Sequence, residues 1–378
     1  MRKELYENSK TFCIAPWVHA CLRTGGSVTP CCEFSPNILS VNDSLKSAFE
    51  SSEWNELRRR MLTNKPIKGC ENCYVKEESG LKSVRNLFNE EYLTEDNFDP
   101  KLKDLHLEIS NICNFKCVIC GHSKSSRWYS DEKYLKTLVD REGFDIDLNN
   151  KIIDSFDSLH DLDYSNIEAL RFLGGEPLLD DRFLDVLDRV DLSKTFIMIS
   201  TNNSIDPTDK WLKYLDKAKK LAIMISVDGI NDVGEFVRDG MNFEKFISNL
   251  KIWDQLLSSK PSSYMFYHFV VSNLNVTNLK DSYEYLTSLY DAEFTFSFCK
   301  NHPKYLDISY LPLQVKDYII SELLEFEHVD IIKKYMYNND YDKKVCQDFI
   351  KYTMFLEKKS QFPTQIETIF DKVTKWIV

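Results

Sequence analysis

Short apolar runs of strand type alternate with longer amphipathic stretches between residues 104 and 298. Strands that alternate with helical segments are typical of βαβ units, which build a parallel sheet. Six such units favour an α/β fold with a partial (βα)6 TIM-like barrel, although a doubly wound sheet has the same periodicity. In either fold, ligands bind at the carboxyl ends of the strands. The predicted strands are residues 105–110, 169–173, 196–201, 221–227, 265–272 and 293–298, and the clearest helices between them are 180–190 and 208–219.

The two ends of the chain differ from this middle part. Residues 1–100 are rich in cysteine and turns, with 54–61 as their clearest helix, and residues 89–103 are a predicted linker. The chain from residue 313 is mostly helical in pattern and ends in the amphipathic run 365–378. We therefore predict a small metal-binding domain at 1–100, the α/β barrel at 103–310 and a helical C-terminal extension at 311–378. So small an N-terminal domain has little core, and bound metal would contribute to its folding.

Composition excludes several classes of protein. The net charge is −11 and no basic run stands out, which disfavours non-specific binding to nucleic acid or anionic membrane. No apolar stretch has the length of a signal peptide or of a membrane span, so we expect a cytoplasmic protein. The cytosol keeps thiols reduced, and the 11 cysteines therefore indicate metal or redox chemistry rather than disulfides.

Three cysteines with the spacing C-x3-C-x2-C follow the first predicted strand directly. They are Cys113, Cys117 and Cys120, and the next cysteine along the chain is Cys299. A [4Fe-4S] cluster normally takes four thiolates. A cluster held here would keep one iron open, able to chelate a small molecule through amino and carboxylate groups. The alternative is a structural zinc site with His122 as the fourth ligand.

Glycines and small polar side chains follow the next strands. Two adjacent glycines after the second strand let the backbone approach a ligand closely. Hydroxyl and amide groups suit hydrogen bonds to a ribose, and a guanidinium suits a carboxylate. Taken alone, such residues are more often helix caps or solvated strand ends. The candidates are Gly174, Gly175, Glu176 and Pro177 after the second strand, Ser200 and Asn202 after the third, Ser226, Asp228 and Arg238 after the fourth, and Asn275 after the fifth.

In this order, the cysteine triplet and the strand-end motifs resemble the radical S-adenosylmethionine (radical SAM) enzymes. One departure is Ile119, where members often carry an aromatic residue. The resemblance implies that the triplet holds a [4Fe-4S] cluster with SAM, and that the loop at Gly174 grips the amino group of SAM. It further implies that Ser226, Asp228 and Arg238 contact the SAM ribose and carboxylate and that Asn275 contacts the adenosine.

The resemblance also implies an activity. The reduced cluster would cleave SAM to methionine and a 5′-deoxyadenosyl radical, which abstracts hydrogen from a substrate, and a reducing partner such as flavodoxin or ferredoxin would supply the electron. A peptide or protein is the leading substrate. Dehydrogenation or epimerisation of a sugar or other small metabolite is the alternative. Outside enzymes, the alternative is a zinc-binding interaction protein on a degenerate barrel.

The N-terminal cysteines form a second candidate metal site. The run from Cys13 through Gly26 to Cys31 has the spacing C-x12-G-x4-C, which resembles the opening of a SPASM or twitch-like auxiliary-cluster domain. That resemblance implies a second [4Fe-4S] cluster on Cys13, Cys31, Cys70 and Cys73, with Cys32 as a substitute for Cys31 and Cys21 as a spare. Four cysteines that include a C-x2-C pair also describe a zinc ribbon, so zinc is the alternative.

Cys299 follows the sixth predicted strand and raises a separate hypothesis. A thiol at a barrel mouth can return a hydrogen atom to a substrate radical, as a radical epimerase requires. The simpler interpretation is a buried cysteine without a chemical role, because free cysteine is among the most buried residue types.

Overall fold

The computed structural model describes residues 6, 8–35, 44–78, 82–93, 99–141, 149–300, 303–358 and 361–377. The strands of this part are β1 (His19–Leu22), β2 (Val28–Thr29), β3 (Asp104–Leu107), β4 (Lys116–Cys117), β5 (Ala169–Phe172), β6 (Phe196–Thr201), β7 (Lys220–Ser226), β8 (Arg238–Asp239), β9 (Tyr264–Val271) and β10 (Glu293–Phe298).

Most of the α-helices in the described ranges lie between strands or at the end of the chain. They are α1 (Ala15–Val18), α2 (Leu45–Glu50), α3 (Ser52–Met61), α4 (Glu71–Glu78), α5 (Val84–Tyr92), α6 (Tyr129–Leu138), α7 (Arg182–Leu187), α8 (Asp209–Leu215), α9 (Asn231–Val237), α10 (Phe243–Ser258), α11 (Leu279–Leu289), α12 (Leu313–Glu322), α13 (Val329–Met336), α14 (Lys343–Glu357) and α15 (Thr364–Ile377).

The chain forms two compact units. Unit 1 comprises Met1–Ile112, Ile152–Ile199 and Thr208–Leu221, and unit 2 comprises Cys113–Lys151, Ser200–Pro207 and Ala222–Val378. In unit 1 the strand order is β6-β5-β3-β1-β2, parallel except for the antiparallel pair of β1 and β2. In unit 2, β10-β9-β7 are parallel neighbours, and β4 pairs with β8 in a separate antiparallel ladder.

All six predicted strands are present as β3, β5, β6, β7, β9 and β10. In β6 and β9, buried side chains alternate with more exposed ones. This period of two residues is that of a β-strand with one buried face. Helices lie between them, and helices α12 to α15 fill the C-terminal part as predicted. The predicted fold class, α/β with parallel strands in the element order of a partial TIM-like barrel, is confirmed.

The N-terminal part adds two strands that the sequence patterns do not predict. Strand β1 pairs in parallel with β3, so that Cys21 lies opposite His106. Both β1 and β2 are short, with four and two residues, and lie in the cysteine- and turn-rich part of the chain, outside the alternation of strands and helices that predicts the other strands. The predicted ranges 1–100, 103–310 and 311–378 stay a prediction. The structure adds that residues 19–22 belong to the same sheet as the first barrel strand.

Helix α3 secures the N-terminal segment. It begins where the Ser51 hydroxyl accepts the N–H of Trp54, an ordinary N-cap. Two of its side chains donate to the carbonyl of Pro16: Trp54 through Nε1 at 2.9 Å and Arg58 through Nε at 2.8 Å. The segment that follows Cys13 is therefore held by buried hydrogen bonds. None of the helices in the described ranges is long and apolar enough to cross a membrane.

Candidate metal and cofactor sites

The cysteine triplet lies in a loop of unit 2 that buried neighbours hold in place. Trp128 Nε1 donates to the carbonyl of Cys117 at 3.1 Å, and the Tyr352 hydroxyl donates to the carbonyl of Val118 at 2.7 Å. Cys117 pairs with Arg238 in the β4–β8 ladder. These partners are buried and fix the backbone of the loop at Cys117 and Val118.

The three thiols of the triplet lie close to one another. Cys120 hydrogen-bonds to Cys117, which lowers the pKa of Cys117 and raises the pKa of Cys120 well above its usual range. Cys113 acts electrostatically on Cys120, and its sulfur accepts the backbone N–H of Phe115 at 3.4 Å. Asn202, a predicted site residue, points its Nδ2 at the same sulfur at 3.9 Å. N–H donors around a sulfur stabilise the thiolate form that binds metal.

This donor set fits a cluster with three protein ligands. The candidate fourth ligand for zinc, His122, places Nε2 at 2.9 Å from the carbonyl of Asn150. Within the described ranges, no group of three or more His, Cys, Asp or Glu side chains is arranged to hold a metal ion. In a [4Fe-4S] cluster each cysteine binds a different iron. The three thiols therefore need not surround a single metal position.

The glycine loop after β5 packs backbone against backbone in unit 1. A Cβ on Gly175 would come within 2.0 Å of the carbonyl oxygen of Ile112, and a Cβ on Gly174, whose φ is +120°, within 2.9 Å of that of Ser110. The N–H of Glu176 donates to Ile112 O at 2.7 Å. A side chain at either position would clash with the backbone directly before Cys113, so both positions require glycine. The Glu176 carboxylate accepts the N–H of Leu178 at 3.2 Å and so caps the short helix that begins at Pro177.

The polar residues after β6 and β7 meet in unit 2. The hydroxyls of Ser200 and Ser226 are 3.5 Å apart. Asn202 donates to Oδ1 of Asn114, the residue after the first cysteine of the triplet, at 2.9 Å. These predicted ligand-binding side chains thus lie in the same unit as the cysteine loop, and Asn202 is linked to that loop by a hydrogen bond.

Arg238 and Asp228 form a buried ion pair. Burial by itself would lower the pKa of Arg238, but Cys117 and Asp228 outweigh it and raise that pKa, so the guanidinium is charged. The Asp228 carboxylate also accepts the N–H of Val270 at 2.9 Å. Arg238 Nε is buried without a hydrogen-bond partner in the part of the chain that the structure describes. A buried donor of this kind suits a carboxylate ligand.

Asn275 has a structural role. Its Nδ2 donates to the carbonyls of Asp228 and Val270 at 3.0 Å each, and its Oδ1 accepts the N–H of Ser272 at 2.7 Å. Both ends of its side chain are therefore engaged by backbone groups, of Asp228 after β7, of Val270 in β9 and of Ser272 after β9. Contact of Asn275 with adenosine stays a prediction.

The four predicted N-terminal ligands are brought together in unit 1. Burial is the largest cause that raises the pKa of the Cys13 thiol, and Cys70 and Cys73 raise it further. Burial likewise raises the pKa of Cys31, with contributions from Cys13, Cys70 and Cys73, and that of Cys70 to about 12. Thiols so close together and so buried are protonated unless a metal replaces their protons. Binding of a metal by these four cysteines stays a prediction.

Cys21 and Cys32 lie beside a different residue, His106. Cys21 is a member of β1, whose register places it opposite that histidine. Cys299 is 4% exposed, and burial is the main cause that raises its thiol pKa. Its hydrogen-donor role stays a hypothesis.

The sequence patterns do not predict one group of buried polar residues. It is the buried polar face of β1 and β3, which carries His19, Cys21, Asp104, His106 and Glu108. The signal was present in the run Asp104-Leu-His-Leu-Glu108, where polar residues occupy every second position of a strand. The predicted apolar strand 105–110 accounts only for the opposite face of this run, which carries Leu105 and Leu107.

Residues 107–271 match the family model of the Radical SAM superfamily. The chain is 27% identical to the tungsten-containing aldehyde ferredoxin oxidoreductase cofactor-modifying protein of Pyrococcus furiosus, with 65% of each chain covered. Among solved structures it is similar to native anSMEcpe with bound AdoMet, with 18% identity, a TM-score of 0.36 and 60% of each chain covered. It is also similar to Streptococcus suis SuiB bound to the precursor peptide SuiA, with 13% identity, a TM-score of 0.34 and coverage of 78% of this chain and 66% of that one. The chain thus spans less than two thirds of the length of each of these relatives.

Proposed function

Because residues 107–271 match the family model of the Radical SAM superfamily, we propose that the chain cleaves SAM reductively and abstracts hydrogen from a substrate. The observation that carries the proposal is the loop of Cys113, Cys117 and Cys120, which lies inside the matched segment and gathers three thiols. When bound, the reduced [4Fe-4S] cluster and SAM would supply a 5′-deoxyadenosyl radical.

The residues of this chain would hold and orient that cofactor. The three thiolates would bind three irons and leave the fourth for SAM. The free Nε of Arg238 would donate to the SAM carboxylate, with Asp228 fixing the guanidinium in place. The hydroxyls of Ser200 and Ser226, 3.5 Å apart, would donate to the ribose. The glycine loop at Gly174 would bind the amino group.

The proposed substrate is a peptide or protein. Its support is the N-terminal group of Cys13, Cys31, Cys70 and Cys73, which resembles the auxiliary-cluster modules of peptide-modifying radical SAM maturases. We propose that this group holds a second [4Fe-4S] cluster able to accept an electron from the substrate. A small-molecule substrate is the second candidate, favoured by the similarity to the Pyrococcus furiosus relative, which is named as a cofactor-modifying protein. A flavodoxin or ferredoxin is the proposed reducing partner.

The test is an anaerobic assay for 5′-deoxyadenosine after reconstitution with iron and sulfide and reduction with dithionite. We expect the wild-type protein to form 5′-deoxyadenosine from SAM. The triple variant Cys113→Ala, Cys117→Ala, Cys120→Ala should fall to the background without enzyme, because no cluster is held beside the SAM site.

The matched control is Cys346→Ala, which removes a buried cysteine from α14 that donates to the carbonyl of Tyr310 at 3.4 Å. This variant should retain the wild-type rate. Wild type without SAM cleavage, or a triple variant that cleaves SAM as fast as wild type, would refute the proposed function.

A further inference from the structure

One face of the unit 1 sheet is both buried and charged. The register aligns Cys21, His106 and Arg171 on neighbouring strands, and Asp104 and Glu108 share the face of His106. The opposite face is apolar, with Leu105, Leu107, Leu170 and Phe172 fully buried. Charges taken out of water destabilise a fold unless partners compensate them. The partners of each polar group on this face therefore indicate whether it serves the fold or a ligand.

The polar groups around Asp104, the first residue of β3, are satisfied. Arg171 donates through Nη2 to Asp104 Oδ2 at 2.7 Å, and the Tyr92 hydroxyl donates to the same oxygen at 3.1 Å. His19 places Nδ1 at 3.1 Å from the carbonyl of Pro30 and Nε2 at 3.7 Å from Asp104. This part of the face is a closed network that needs no ligand.

The groups near the carboxyl ends of β1 and β3 are not satisfied. Arg23 Nε, Thr24 Oγ1 and His106 Nε2 are buried atoms with no hydrogen-bond partner among the described residues. His106 is 7% exposed, and its Nε2 forms an ion pair with Glu108 Oε1 at 3.5 Å, which is longer than an ordinary hydrogen bond. The thiols of Cys21 and Cys32 also lie beside His106, but sulfur is a weak partner for a hydrogen bond.

The turn that carries Arg23 and Thr24 is held in shape. The Ser155 hydroxyl donates to the carbonyl of Arg23 at 3.0 Å and accepts the N–H of Gly26 at 2.8 Å. The N–H of Thr24 points at Glu108 Oε2 at 3.5 Å, and one Nη of Arg23 donates to the carbonyl of Cys32. The unpartnered donors are thus fixed in position, as a binding site requires.

We propose that Arg23, Thr24 and His106 form a subsite that binds a carboxylate group of the substrate. A carboxylate offers two oxygens and about four acceptor positions, enough for all three donors, and the planar guanidinium of arginine suits it. The subsite lies where parallel strands end, the place at which α/β proteins bind ligands. The inference rests on the proposed function only in taking the bound molecule to be the substrate.

The test measures binding of two matched probes, N-acetylglutamate amide and N-acetylglutamine amide, to the reconstituted full-length protein by calorimetry, with SAM and without reductant. Wild type should bind the glutamate probe about tenfold more tightly than the glutamine probe, since charge-assisted hydrogen bonds exceed neutral ones by that order. Arg23→Ala and the nearly isosteric Thr24→Val should each weaken binding of the glutamate probe and reduce this preference.

The matched control is Arg59→Ala, which removes an exposed arginine of unit 1 paired with Glu56. It should keep the wild-type preference. Equal binding of the two probes, no binding of either to wild type, an unchanged preference in both Arg23→Ala and Thr24→Val, or tighter binding of inorganic phosphate than of the glutamate probe would each overturn the inference. Because no reductant is present, these outcomes are independent of SAM cleavage. If the wild type cleaves SAM but does not prefer the glutamate probe to the glutamine probe, the subsite is refuted and the proposed function is unaffected.

Discussion

Replacing Cys13, Cys70 and Cys73 together with alanine is expected to halve the iron content of the reconstituted protein, from about eight irons to about four. It should also lower the thermal midpoint of unfolding. The thiols of these residues lie together with that of Cys31, and burial raises their pKa values, so a metal that binds the four thiolates would stabilise the folded state. Iron analysis and a thermal melt of both proteins, prepared anaerobically, measure the two effects.

Cys21→Ala is the control for this experiment, because Cys21 lies beside His106 rather than with the other four thiols. It should leave the iron content unchanged. If wild type carries about four irons and one zinc, and the triple variant loses only the zinc, the N-terminal site is a zinc site. An unchanged metal content in the triple variant would contradict any metal site there.

Replacing Asp228 with alanine is expected to lower the free energy of unfolding by about 3–5 kcal/mol, the usual effect of breaking a buried ion pair from one side. Arg238 is 7% exposed, so the variant would leave a buried guanidinium without its countercharge. It would also deprive the N–H of Val270 of its acceptor. Urea unfolding followed by circular dichroism measures the loss.

The exposed pair of Arg59 and Glu56 provides the control for this second experiment. Both side chains are largely in solvent, at 69% and 49% exposure. Glu56→Gln should therefore change the free energy of unfolding by less than about 1 kcal/mol. An Asp228→Ala variant no less stable than Glu56→Gln would contradict the structural role assigned to the buried pair.

Local periodicity was sufficient to predict the six strands β3, β5, β6, β7, β9 and β10. Each has at least four residues that alternate or are apolar throughout, and helix-forming stretches separate them. Strand β1 could not be found in this way because it lies outside the alternating strands and helices and its partner β3 lies more than 80 positions along the chain. Strand pairing at such a separation depends on tertiary contacts, which a short stretch of sequence does not reveal.

The same contrast applies to the sites. The spacing of Cys113, Cys117 and Cys120 places three thiols within one loop, so their proximity follows from the local chain. The sequence does not predict that both ends of the Asn275 side chain bond to the backbone, at Asp228, Val270 and Ser272, since a strand-end asparagine is equally suited to a ligand and to a turn. The unpartnered donors of Arg23 and His106 become visible only when their neighbours are known.

The most direct test of radical SAM chemistry is the electron paramagnetic resonance spectrum of the reduced protein, recorded with and without SAM. The Cys13, Cys70, Cys73 triple variant isolates the cluster at Cys113, Cys117 and Cys120 from any signal of the N-terminal site. Because three thiolates leave one iron open, we predict that SAM changes the spectrum of this variant. A reduced cluster whose spectrum is the same with and without SAM would contradict the account.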